Sequence, residues 1–292
     1  MNPAALRAKT WLCITLALLI ATMAPAGALA QATPAMTKRF TIGVLPNVSA
    51  RLILASYQPM RAYFERELGV PVDIATGTQF QDFSDRMLKG EYDLAITAPN
   101  LGRVAQLDAK WDLLAIYEPK IPALVVAMAS NTEDRPDQVR GKSVAMANPQ
   151  SLVALIAKRW LAERNLVAER DFKVLVAAND DSLGAVLNSG EAPWAVMSMG
   201  EFRAKPEELR KTLRIVHRIA EVPGFYVMAN PTLDPAKREQ LKKLILAFPR
   251  SAEAPDFFRL SGFTKIREVE ASDISFLDPY LDATRQGLGL KR

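Results

Sequence analysis

The sequence predicts a two-lobed α/β protein, each lobe a mostly parallel sheet flanked by helices. Three observations carry that expectation. Short β-rich apolar runs alternate with stretches whose apolar residues recur at helical spacing. The connections between them are short, which favours a doubly wound arrangement. The alternation passes through two rounds, separated by a polar stretch at 131–140, and 292 residues suffice for two such units.

Residues 1–30 have the tripartite pattern of a secretory signal peptide. Arg7 and Lys9 form a basic start, Trp11 to Met23 an apolar run, and Ala28-Leu29-Ala30 a small-residue cleavage site before Gln31. The apolar run is shorter than the ~20 residues of a membrane span. An uncleaved anchor is the alternative, since no charge lies between Lys9 and Lys38. Cys13, the only cysteine, falls inside the apolar run, so the exported chain needs no disulfide.

The first round opens with a strand from Arg39 to Leu45. A helix follows over about Leu52 to Leu68, with Leu52, Tyr57, Met60, Phe64 and Leu68 on one face. A strand at Val72–Ala75, a turn at Thr76–Phe80, a helix at Asp82–Lys89 and a strand at Tyr92–Ile96 come next. Pro99 opens another helix, and Leu113–Tyr117 and Ala123–Ala129 are strands. The second round has strands at Lys142–Ala147, Phe172–Ala177, Ala195–Met197, Leu213–His217 and Phe225–Met228. Helices start at Ser151 and Ser182, the latter capped by Asn179-Asp-Asp-Ser182. Helices at Pro235–Phe248 and about Asp273–Gly287 complete the chain.

Composition excludes several classes of function. With one histidine, His217, and no cysteine after export, a two-histidine zinc site and most His-based metal centres are ruled out. The net charge of +5 falls to +3 without Arg7 and Lys9, and basic residues are mixed with acidic ones, so no nucleic-acid footprint is expected. Gly224 and Gly287-Leu-Gly289 do not make a phosphate loop. Asp180 and Asp181 are adjacent and point to different sides of a helix start, and no nucleophile has an evident partner base. No enzyme, cofactor or metal is expected.

Three places carry a family resemblance. Phe40-Thr-Ile-Gly-Val-Leu-Pro46 leads to a helix ending Phe64-Glu-Arg-Glu-Leu-Gly-Val-Pro-Val72. Asp82-Phe-Ser-Asp-Arg-Met-Leu-Lys-Gly-Glu-Tyr-Asp-Leu-Ala95 follows, and later Gly141-Lys-Ser-Val-Ala-Met-Ala-Asn-Pro-Gln-Ser151. Together they resemble the phosphate/phosphite/phosphonate branch of the periplasmic solute-binding proteins, with its type II two-lobed fold. The resemblance implies a periplasmic, monomeric protein that captures a small, anionic solute, phosphonate- or phosphate-like or another small organic anion, between its lobes and feeds a membrane ABC permease. A sensor that reports the solute to a membrane receptor or kinase stays open as the alternative. It further implies a ligand at the carboxyl ends of the strands, the usual place in open α/β sheets, where helix N-termini suit an anion.

That resemblance places lobe 1 at 37–128 and 223–292 and lobe 2 at 129–222, with hinge crossings near Ala129 and Val222. The candidate ligand-binding residues are Asn47, Ser49, Gln79, Phe80, Thr97, Asn100, Ser151, Asn179 and Asp180. Ser49, Ser151 and the Asn179-Asp180 run also fit plain capping and turn chemistry, and His217 reads as structural. Where the family has tyrosines this chain has Phe80 and Ala98, where it has a histidine this chain has Asn179, and Ser151-Leu-Val keeps one hydroxyl. Fewer donors imply a ligand larger, less charged or more apolar than a phosphonate.

Overall fold

The computed structural model describes residues 39–177 and 182–290. The expected signal segment, Asn179 and Asp180 lie outside the described residues. The first round is β1 (Phe40–Val44), α1 (Ala50–Leu68), β2 (Val72–Thr76), α2 (Phe80–Leu88), β3 (Leu94–Thr97), α3 (Pro99–Ala109) and β4 (Asp112–Glu118). On α1 the buried stripe is Ile53, Tyr57, Met60, Tyr63 and Phe64. Leu52, expected on that stripe, is instead 42% exposed. Five residues before Tyr57, it lies roughly 140° around the helix from it.

The second round is β5 (Ile121–Met128), β6 (Ser143–Met146), α4 (Leu152–Ala162), β7 (Lys173–Val176), α5 (Ser182–Ser189), β8 (Trp194–Ser198), α6 (Met199–Ala204), α7 (Glu207–Lys211) and β9 (Leu213–Val222). The chain ends with β10 (Tyr226–Ala229), α8 (Pro235–Ala247), α9 (Ala254–Ser261), β11 (Lys265–Arg267), α10 (Ala271–Ser275) and α11 (Leu281–Gly287). The single helix expected over 273–287 is thus two helices and a 3-10 turn, Asp278–Tyr280. Pro279 lacks an N–H and breaks the run. Among the described residues no helix is long and apolar enough to cross a membrane.

The strands form two sheets, ordered β11-β4-β10-β3-β1-β2 and β7-β6-β8-β5-β9. Each contains a parallel trio, β2-β1-β3 and β7-β6-β8. The sheets are nonetheless mixed rather than mostly parallel. β10 runs antiparallel to β3 and β4, and β5 antiparallel to β8 and β9. The path of the chain explains this: β5 comes straight from β4 of the other sheet, β10 straight from β9, and each inserts beside a third strand. Because β5 pairs in the second sheet, the outward crossing lies at Pro119 and Lys120, not near Ala129. The return crossing, 223–225, falls beside the expected Val222.

Burial follows from this plan. β5 reads Ile-Pro-Ala-Leu-Val-Val-Ala-Met because the second sheet is covered on both faces. Leu124 and Val126 enter one core with Leu183 and Met197, while Val125 and Ala127 enter another with Ala157 and Trp194. His217, on β9, packs against Trp160 and Trp194 at ring distances of 5.0 and 5.4 Å. Burial pushes its imidazole below the ordinary histidine range.

The two crossings press on each other. The Tyr117 N–H donates to the Phe225 carbonyl at 2.9 Å, and Ile121 pairs with Val222. A Cβ on Gly224 would lie 1.9 Å from the Tyr117 carbonyl oxygen. Only a glycine lets the backbones meet there. Gly224→Ala is therefore expected to destabilise the fold by about 3 kcal/mol, as overpacking against backbone does, with a lowered midpoint in urea unfolding. An unchanged midpoint would show that the crossings are not tightly apposed.

A buried ion pair ties the C-terminal segment to the outward crossing. Asp273, 2% exposed, accepts from both terminal nitrogens of Arg267 at 2.7 and 2.9 Å and from the Glu270 N–H at 2.9 Å. Arg267 Nε donates to Glu118 at the end of β4 at 2.7 Å. Burial works against the Asp273 charge, but Arg267 and the Glu270 N–H outweigh it and hold the carboxyl below the ordinary aspartate range. The stabilisation is then fully present above the unfolded value of about 3.9 and is lost as pH falls through the depressed folded value. Asp273→Asn should destabilise by about 2 kcal/mol at neutral pH. The gap to the parent should shrink in urea titrations below about pH 4; a gap constant with pH would contradict the ion pair.

Candidate functional site

A cavity of about 930 Å³ opens where the carboxyl ends of β1, β2, β6 and β7 face one another. The first lobe supplies the loop after β1, the first turn of α1, the turn after β2 and the first turn of α2. The second supplies Ala147–Gln150, the end of β7, and Glu201, Ala204 and Lys205 at α6. The first two strands of each parallel trio thus aim their ends at one space, as the general rule for open α/β sheets anticipates.

Local chemistry fixes each wall. Thr76 Oγ1 donates to the Val44 carbonyl at 2.7 Å, locking the ends of β2 and β1 together. In the following turn, Asp82 accepts from the Thr78 N–H at 2.8 Å and its hydroxyl at 3.3 Å. A Cβ on Gly77 would meet the Phe83 nitrogen at 2.8 Å, so the turn closes only around a glycine. Ser49 and Gln79 are the N-cap residues of α1 and α2, yet neither side chain makes a cap hydrogen bond. Across the cavity, Asn148 Oδ1 accepts from the Gln150 N–H at 2.9 Å. Lys158 donates to the Pro149 carbonyl at 2.9 Å.

Among the described lining residues, charge is confined to the second lobe. Glu201 and Ser198 form a reciprocal capping box, with the Glu201 N–H donating to Ser198 Oγ at 3.1 Å and the Ser198 N–H to the carboxylate. Burial raises the Glu201 carboxyl above the ordinary range, against the pull of Ser198 and of nearby Lys205. At the cavity edge, Gln150 Nε2 donates to the Gly287 carbonyl at 2.6 Å and Gln81 Nε2 to the Leu288 carbonyl at 3.3 Å. The end of α11 therefore touches both walls.

The profile of the family described as "ABC transporter, phosphonate, periplasmic substrate-binding protein" matches residues 42–274. The chain belongs to this family. A binding-protein component of an ABC phosphonate transporter from Pseudomonas aeruginosa has a similar fold, with TM-score 0.75 and 13% identity over 86% of this chain and 87% of the other. PhnD1 from Prochlorococcus marinus, solved with methylphosphonate, gives 0.73 and 12% over 86% and 98%. XAC2383 from Xanthomonas citri, solved with ATP, gives 0.71 and 17% over 86% and 100%. No curated protein matches by sequence. Membership makes this a periplasmic binding protein that takes a small solute and works with a membrane ABC permease.

The binding protein brings some of the expected residues together. Ser49, Gln79 and Phe80 line the cavity. Asn47 sits in the same loop, its N–H turned to the Leu45 carbonyl at 2.8 Å, while its neighbours Pro46 and Val48 line the space. Thr97 and Asn100 are fully buried. Asn100 Nδ2 donates to Thr284 Oγ1 at 3.1 Å, joining α3 to α11. Ser151 caps α4, its hydroxyl accepting from the Ala154 N–H at 3.2 Å, and the residues just before it reach the cavity.

Sequence reasoning missed Gly77, Asn148, Gln150, Val176, Glu201 and Lys205. The Ser198-Met-Gly-Glu201 box directly after an apolar strand was the available signal for the last two. Gly77→Ala should destabilise the binding protein by about 2 kcal/mol in urea unfolding, since a Cβ must displace the start of α2. A change under about 0.5 kcal/mol, the range of an inert surface position, would mean that the turn does not need a glycine.

Proposed function

We propose that the cavity is the solute site, that it holds an acid group of the ligand, and that both lobes grip the solute. Taken by sheet membership, lobe 1 is 39–118 with 226–290 and lobe 2 is 121–222. The observation that carries the reading is that α1 and α2 both begin at the cavity without side-chain caps. First-turn N–H groups at two helix starts favour negative charge. Ser49 and Gln79 add donors that are not engaged in capping. The second lobe closes the other side with the Asn148–Gln150 loop. The family description favours delivery to a permease over report to a receptor.

A thermal-shift and calorimetric panel of phosphate, phosphonates, sulfonates, carboxylates and neutral vitamins tests the reading. An anion at a hundredfold excess over its Kd should stabilise by about 2.7 kcal/mol, roughly 5–10 °C for a chain of this size. Gln79→Ala should weaken that anion roughly tenfold or more, the effect of losing a hydrogen bond to a charged group. Shifts by neutral compounds alone would refute the acid group, and unaltered affinity in Gln79→Ala would remove Gln79 from the site.

A further inference from the structure

We propose that the ligand is an amphiphile, one singly charged acid head on an extended apolar body, and that the cleft discriminates against compact dianions. The inference rests on the cavity being the solute site and names what that site selects. Size is the first ground. About 930 Å³ lies at the upper end of the range of ligand pockets, roughly 300–1,000 Å³, that bury drug-sized molecules. In this arrangement of the lobes a phosphate or a methylphosphonate would leave most of it as water.

The character of the walls is the second ground. Ten of the nineteen described lining residues are Ala, Val, Leu, Pro or Phe. Leu52 and Val176 are 42% and 59% exposed, among the few large apolar side chains that are exposed at all. They stand on opposite walls, Leu52 from α1 and Val176 from β7. Exposed apolar surface facing a cleft from both sides is a binding surface for apolar matter, and Phe80, at the start of α2, adds an aromatic ring to the lining. A ligand body covering these side chains removes both its own and their apolar area from water.

Charge is the third ground. The only charged residues among the described lining are Glu201 and Lys205, one of each sign and both at α6. Their formal charges are opposite, and no arginine stands in the described lining to form a bidentate grip on a phosphonate. Enclosing a dianion would leave charge uncompensated, which is strongly unfavourable in a desolvated site. A single charge can be met by helix starts and neutral donors, the elements the first lobe offers.

Calorimetry on the protein with methane-, butane-, hexane- and octanesulfonate, octanoate, 1-octanol, methylphosphonate and phosphate tests this. Affinity should rise by up to about fourfold for each methylene covered, octanoate should behave like the long sulfonates, and methylphosphonate should bind more weakly than hexanesulfonate. Leu52→Ser and Val176→Ser, at exposed positions that leave the fold intact, should flatten the rise with chain length. Tighter binding of methylphosphonate or phosphate, or affinity independent of chain length, would overturn the amphiphile while leaving an anion site in the cleft. Binding of 1-octanol as tight as octanesulfonate would remove the charged head. A rise with chain length untouched by either serine variant would place the ligand elsewhere and defeat the cleft reading as well. Failure of every chain length to bind would refute the inference.

Discussion

The close apposition of the two inter-sheet crossings is the constraint from which the rest of the architecture follows. At Gly224 the returning chain runs against the Tyr117 carbonyl of the outgoing one, and a backbone hydrogen bond from Tyr117 to Phe225 fixes their register. Each crossing delivers a strand straight into the opposite sheet, β5 into the second and β10 into the first. Neither sheet is complete without a strand that the chain reaches directly from the other lobe. The two lobes are therefore coupled through the centre of their sheets, while the helices and loops at the strand ends face each other across open space.

That arrangement determines where the cavity opens. Parallel trios in both sheets leave the carboxyl ends of their first two strands pointing at the cavity, and helices begin there. The C-terminal segment adds a further link. It is anchored on lobe 1 by the bidentate Arg285–Asp108 pair at 2.8 Å and by Asn100. It meets lobe 2 through Gln150 and through Arg159, which lies 5.7 Å from the Tyr280 ring centre. Leu152 and Ile156 of α4 share the first lobe's apolar core. Any motion of the lobes about the paired crossings would have to be accommodated at this segment too.

Much of the fold was legible in the sequence, because the elements from β1 to β8 each combine a period with a boundary residue. The missed parts have physical reasons. β9 extends to Val222 although its second half carries Arg218 and Glu221, because an edge strand exposes part of its length. β11 has three residues, too few for a periodic signal. The sheet to which β5 belongs depends on long-range pairing, and Pro119 was the only local mark of the crossing. Of the residues that line the cavity, Ser49, Gln79 and Phe80 were visible because they follow strands and start helices. Thr97 and Asn100 look the same locally, yet β3 lies deeper in the sheet and buries them. Gln150 reaches the cavity only through the packing of lobe 2, which no local pattern encodes, whereas the capping box after β8 was a local mark for Glu201 and Lys205.

The central claim is that a solute in the cavity draws the two lobes together about the crossings. A ligand that contacts both lobes binds the closed form better and shifts the population towards it. Small-angle scattering of the protein alone and with the tightest-binding anion of the calorimetric panel measures this directly. A smaller radius of gyration at saturation is the predicted result. A saturating anion that leaves the radius unchanged would contradict closure.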